Sequence, residues 1–221
     1  GFYTEYSTFD LKKVMSGKDA AGYKQLMADI DAIAEQLLVL QEAGVPILFR
    51  PLHEASGGWF WWGAAGSDPY IQLYKLLYRK LTVDYGLNNI IWVWNGQSAD
   101  WYPGDEYVDI CGIDIYPGER VYESQIAKYL EVKGWSTEKK MVYLTECGCI
   151  FDPELAARDG AMWGSFVVWQ GEFVRKGSTN KISEQYTESY MMQKAYSHEK
   201  VLTLDELPDL KTYPISEAFG Q

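Results

Sequence analysis

Histidine is almost missing from this chain. The 221 residues include two, His53 and His198, too few for a zinc centre built on imidazoles; His198 lies in a polar stretch and reads as a surface residue. Cysteine is scarce, with Cys111, Cys147 and Cys149 only. An odd count without spaced pairs gives no disulfide framework. Cys147 and Cys149 stand two apart on one expected strand, where they face the same side but do not easily bridge. No apolar run approaches the ~20 residues of a membrane span, so no membrane partner is expected. Cations are outnumbered: 20 Lys and Arg against 31 Asp and Glu leave a net charge of −11. A nucleic-acid partner needs clustered cations to replace counterions, and that class is set aside. A glycine-rich phosphate turn is lacking as well, which disfavours a nucleotide-binding open sheet. No metal cluster and no cofactor motif is legible. Neither a solenoid repeat nor a low-complexity linker divides the chain, so residues 1–221 are expected to be one domain.

Aromatic residues are plentiful instead, with nine Trp and 17 Tyr. They suit a Trp-rich core, a carbohydrate site, or a mixture of both. Apolar residues make up 47% of the chain, as in ordinary globular proteins.

Residues 1–18 show no clear periodicity and read as a loop. Leu26, Ile30, Ile33, Leu37 and Leu40 then recur at steps of four and three, predicting a helix over 20–43 that Gly44 ends. Ser67-Asp68-Pro69 signals a second helix start, with Tyr70, Leu73, Tyr74, Leu77 and Leu81 as its apolar face. Strands are expected at 47–52, 90–94, 107–116, 141–145 and 165–169. Further helices are expected over 122–130, 153–159 and 182–195, and the last twenty or so residues read as a surface strap. Apolar strands separated by helical segments indicate parallel βα units. The fold class is therefore α/β. Functional-looking residues close each strand: His53 and Glu54, Asn95, Tyr116, Glu146, Trp169. That is the end at which barrel enzymes carry their sites.

The stretch 46–63, PILFRPLHEASGGWFWWG, is the most informative. A buried strand runs into Arg50, then His53 and Glu54. The Gly57-Gly58 pair turns the backbone, and Trp59, Phe60, Trp61 and Trp62 follow. An acid beside flat rings can protonate a glycosidic oxygen while the rings stack on a sugar face. Glu54 alone could equally be a solvated strand-end charge. Glu146 changes the balance, because it also ends a buried strand. It comes three strands after Glu54, about 135° around an eight-stranded ring, with a Cα chord of roughly 14 Å. Two inward side chains then leave roughly 5 to 6 Å between the carboxyl groups, close to the separation of retaining glycosidases. Burial beside the Trp loop makes Glu54 the better acid. Glu146 is then the nucleophile, with Arg50 and Tyr116 as candidate donors that keep it ionised.

The segments RPLHE, GGWFWWG, LNNIIWVWN, WYPGDEYVDICGIDIY and YLTECG closely resemble glycoside hydrolase family 26, chiefly its β-mannanases. The resemblance implies a (β/α)8 TIM barrel and retaining chemistry, with Glu54 as acid/base and Glu146 as nucleophile. It also implies that His53, Trp59, Tyr116 and Trp169 shape the subsite of the cleaved sugar. Trp61 and Trp62 match the motif, with a core role favoured. The expected activity is retaining endo-β-1,4-mannanase action on mannan, galactomannan or glucomannan, by a secreted, extracellular protein whose leader is not in this sequence. Alternatives are a mixed-linkage β-glucanase or β-1,3-xylanase of the same family, or an inactive glycan-binding barrel fragment. The resemblance also places the central strand fourth, yet strands one to three are not found before it. The chain is thus expected to cover the C-terminal five or so βα units, with the missing N-terminal part of the barrel as a partner.

Overall fold

The computed structural model describes residues 1–209. Five strands form one parallel sheet: β1 (Ile47–Phe49), β2 (Ile90–Trp94), β3 (Ile110–Ile115), β4 (Met141–Cys147) and β5 (Phe166–Val168). Their order in space is their order in the chain. Helices α1 (Leu11–Met15) and α2 (Ala20–Glu42) precede β1, α3 (Ser67–Arg79) follows it, and α4 (Ile126–Lys133) and α5 (Pro153–Asp159) flank β4. Helix α6 (Ser189–Tyr196) comes after β5. Only two 3-10 turns, Ala99–Trp101 and Asp105–Tyr107, join β2 to β3.

Local chemistry explains these boundaries. The side chain of Asp19 accepts from the Gly22 amide and caps α2, and Asp152 does the same for α5 ahead of Pro153. Helix α3 starts differently from the sequence reading: Gly66, at φ 91°, takes the cap position and Ser67 is already helical. The presumed loop 1–18 contains α1, which Asp10 caps and Leu11 and Val14 anchor in the core. Helix α4 begins at Ile126 rather than Tyr122, because Gln125 before it is left-handed. Helix α6 covers only the end of 182–195, since Ile182 pairs with Arg175 and the Ser183 amide bonds to the Val174 carbonyl. Strand β3 starts at Ile110, three residues late, and β4 runs past Thr145 to Cys147, so Glu146 lies inside it. The expected surface strap falls largely on 210–221, outside the described residues.

The face of the sheet turned to the helices is an aromatic core. Trp92 packs against Phe49, Tyr74 and Tyr78, and Trp94 against Tyr102 and Trp135. All three cysteines are buried and free. On α2 the buried stripe is Leu26, Ile30, Ala34 and Leu37, while Ile33 and Leu40, expected on the same face, are exposed. They flank the stripe on a side that no described element covers.

The other sheet face is open in part among the described residues, although Val93 and Ile110 on it are buried. By alternation, Leu48, Ile91 and Val167 point away from the helices, and all three are exposed. The outer edges of β1 and β5 pair with no further strand among the described residues. The sheet is nevertheless curled. In a flat sheet, residues three strands apart stand about 14 Å from each other with parallel side chains. Here carboxylate oxygens from the ends of β1 and β4 approach within 4.8 Å. Parallel order, curl and open edges together make this an incomplete (β/α)8 barrel of five strands.

Candidate active site

The site lies where the five strands end. Past β1 the chain makes a tight turn in which Leu52 (φ 54°) and Glu54 (φ 51°) are both left-handed. For residues other than glycine that geometry costs ~1–2 kcal/mol each, and it persists only where surroundings enforce it. They do so here. The Glu54 amide donates to the Asn95 carbonyl at 2.9 Å, and the Ser56 amide to that of Gly96 at 3.1 Å. The Trp62 indole donates to the His53 carbonyl at 2.8 Å. The result is a half-buried Glu54 carboxyl held at the end of β2.

The aromatic loop then folds back over this acid. Trp59 Nε1 donates to Glu54 Oε2 at 3.1 Å. Gly57 permits the approach, because a Cβ there would fall 2.0 Å from the Trp59 ring. Phe60 and Trp62 are buried, and His53 packs on both rings at 4.9 and 5.8 Å. Trp62 is thus core, while Trp59 keeps an open face.

Glu146 is buried in β4 and aimed from two sides. Arg50 Nη2 donates to one oxygen at 2.5 Å and the Tyr116 hydroxyl to the other at 2.6 Å. Beside it is Asp114 of β3, a residue the sequence reading passed over. Asp114 accepts from Arg50 Nη1 at 3.2 Å, Asn95 Nδ2 at 2.7 Å and the Thr145 hydroxyl at 2.6 Å. Gln97 fixes the backbone there, bonding both the amide and the carbonyl of Asp114 at 3.0 Å. The register between β3 and β4 breaks at this point: Ile113 faces Leu144, but Asp114 faces Glu146. Simple alternation would send Thr145 and Glu146 to opposite faces. The irregularity lets both reach the site, a common use of a bulge.

The candidate residues fall into one constellation. Glu54, Glu146, Arg50, Tyr116, Asn95, Trp59 and His53 are linked as described. Trp169 follows β5, its amide donating to the Cys147 carbonyl at 2.9 Å, with its ring partly exposed. One oxygen each of Glu54, Asp114 and Glu146 lies within 4.8 Å of the others. Arg50 spans two of these three carboxylates and supplies the compensating charge.

Environment shifts the titration of the acid and of its neighbours. Burial, then the charge of Glu146, raises the Glu54 pKa above the usual carboxylate range, against the opposing Trp59 bond. Burial followed by the Glu146 bond also raises that of Tyr116, which stays a protonated donor. Burial and Arg50 lower that of His53, so its ring is neutral near pH 7. Asp114 is pushed up to about 7, by burial first, with Arg50 opposing and Glu146 adding.

That shift predicts a stability effect. The folded-state value of Asp114 lies above the ordinary aspartate value of 3.8. The stability it contributes is therefore fully present below about pH 4 and is lost as pH rises through about 7. Asp114→Asn should flatten this part of the stability curve, as read by Tm between about pH 4 and 8. An unchanged slope would show that another group titrates there.

Comparison with known proteins agrees with this geometry. The model for "Glycosyl hydrolase family 26" matches residues 1–196. The chain belongs to glycosyl hydrolase family 26. A family relative from Thermothelomyces thermophilus, named a mannan endo-1,4-beta-mannosidase, is 44% identical over 208 residues. The match covers 94% of this chain and 41% of that relative. The crystal structure of a Podospora anserina GH26-CBM35 beta-(1,4)-mannanase superposes with a TM-score of 0.87 at 42% identity, covering 95% of this chain and 45% of that one. A beta-mannanase from a symbiotic protist of the termite Reticulitermes speratus, complexed with gluco-manno-oligosaccharide, gives 0.83 at 34% identity and coverages of 94% and 63%. The chain thus spans between 41% and 63% of these family members.

Proposed function

We propose that this chain carries the catalytic centre of a retaining endo-β-1,4-mannanase that cleaves mannan, galactomannan or glucomannan by double displacement. The observation that carries the reading is the pairing of Glu54 and Glu146. Their oxygens lie within 4.8 Å, whereas inverting enzymes need about 6.5–9.5 Å to admit a water. Glu54, with its raised pKa, keeps its proton and gives it to the glycosidic oxygen as the C1–O bond breaks. Glu146, held by Arg50 and Tyr116, forms the bond to C1. Water then attacks C1, its proton passes to Glu54, and Glu146 is released. The Trp59 bond favours the ionised form of Glu54, which suits that second step. His53, Trp59, Tyr116 and Trp169 line the subsite of the cleaved sugar. The polymer is too large to enter a cell, which supports an extracellular protein.

Assaying reducing-end release on galactomannan, barley glucan and xylan tests the substrate. Galactomannan should be preferred by at least about tenfold, a gap of ~1.4 kcal/mol. The first product seen by anomeric proton NMR should keep the β configuration. Preference for glucan or xylan would move the reading to a β-glucanase or β-1,3-xylanase. The open edges of β1 and β5 favour one second reading, a glycan-binding barrel fragment whose catalysis requires the remaining strands as partner. Binding of mannohexaose without turnover would select it.

A further inference from the structure

Residues 1–6 place a second group of open aromatic rings against the loop that carries Trp59. The segment is fastened to the Trp59 loop by backbone bonds: Thr4 N to the Trp59 carbonyl at 2.7 Å, and Trp61 N to the Phe2 carbonyl at 3.0 Å. Tyr3 and Phe60 form an antiparallel bridge, and the Thr4 hydroxyl donates to the Gly58 carbonyl at 2.9 Å. Tyr3 stacks on Phe60 (5.3 Å, 26°), and Phe60 stacks on Trp62 (4.5 Å, 21°). The column is rooted in the core, since Phe60 and Trp62 are only 6% and 8% exposed. Its outer members are not covered: Phe2 is 57% exposed, Tyr3 43%, Tyr6 69% and Trp59 47%. Phe2 and Tyr6 flank Tyr3 at 4.9 and 6.5 Å. The column meets the site at Phe60, which packs on His53 at 4.9 Å and touches Trp59 edge-on at 6.2 Å, and Trp59 itself bonds to Glu54.

From this continuity we propose that Tyr3, with Phe2 and Tyr6, forms a distal platform that stacks on pyranose units beyond the one Trp59 meets, on the leaving-group side of the cleaved bond. The proposal rests on the glycosidase reading above and adds an extended site to it. An acid that protonates the leaving oxygen faces the leaving sugar, so rings fastened to the loop over that acid follow the departing chain. A pyranose offers an apolar C–H face that fits an open ring, and rings fixed on a rigid base lose little entropy on binding. The occupant is a neutral hexose of a β-linked chain, which the net charge of −11 does not repel.

Calorimetry in the Glu146→Ala background tests this without turnover, with mannohexaose and mannotriose as probes. The parent should bind hexaose more tightly than triose. Tyr3→Ala should weaken hexaose binding about fivefold, the scale of one aromatic contact, and so close much of the gap. Tyr3→Phe, which keeps the ring, should leave the gap in place. Tyr23→Ala, an exposed ring on α2, serves as control and should do the same. A Tyr3→Ala protein with undiminished hexaose affinity overturns the platform and leaves the catalytic reading standing. If the parent binds neither sugar, the glycosidase reading itself fails, and the platform with it. Should Tyr3→Ala not fold, Phe2→Ala and Tyr6→Ala replace it; unchanged hexaose affinity in both is the contrary result.

Discussion

Replacing Glu146 with alanine should lower kcat by about 10⁴-fold or more while mannohexaose still binds measurably. The size of the effect follows from what the carboxylate does. It is buried, aimed by two donors and close enough to the acid to attack the carbon that the acid activates. Without it no covalent intermediate forms, and Glu54 has no partner across the sugar. Binding survives because the stacking rings and Glu54 stay in place. Truncation also leaves Arg50 with Asp114 as its remaining carboxylate, still a paired charge. The loss of activity should therefore appear without a collapse of Tm. Normal turnover in Glu146→Ala would remove it from the reaction.

Glu54→Gln should cost about 10²- to 10⁴-fold in kcat on polysaccharide, the usual range for a lost acid–base group. The loss should depend on the leaving group. An aryl mannoside whose phenol departs without a proton escapes the first-step penalty and should retain most of its glycosylation rate. The pH profile should change as well. Burial and the nearby Glu146 charge raise the Glu54 pKa, so its proton is lost above the ordinary carboxylate range, and wild-type activity should fall on the basic side as that happens. Glutamine cannot titrate, and the variant should lose that limb. Equal losses on polymer and activated mannoside, with the limb intact, would mean that Glu54 is not the acid.

Much of this site could be read from residue order, and the reasons are physical. Glu54 and Glu146 are charged groups at the ends of apolar strands, and a strand end in a parallel sheet is a site position. Arg50 and Tyr116 were expected as donors to Glu146 and do bond to it. Asp114 was missed although its signal is present. A carboxylate within the apolar run ICGIDI is costly to bury and calls for partners. Its partners come from 50, 95 and 145, and no local pattern links those positions. The break in register beside Thr145 was not legible either, because bulges depend on pairing between strands. Helix faces were read well where their packing partner is present, as with Tyr70, Leu73, Tyr74 and Leu77. Ile33 and Leu40 repeat with the same period but face no described element. Periodicity reports an apolar face and says nothing of whether another element covers it.

The most direct measurement is the mass of the protein after incubation with an activated 2-fluoro mannoside, followed by peptide mapping. A glycosyl unit attached to the peptide that carries Glu146, and absent from Glu146→Ala, is the predicted result. A sugar bound to any other side chain, or product of inverted configuration with no adduct at all, would contradict it.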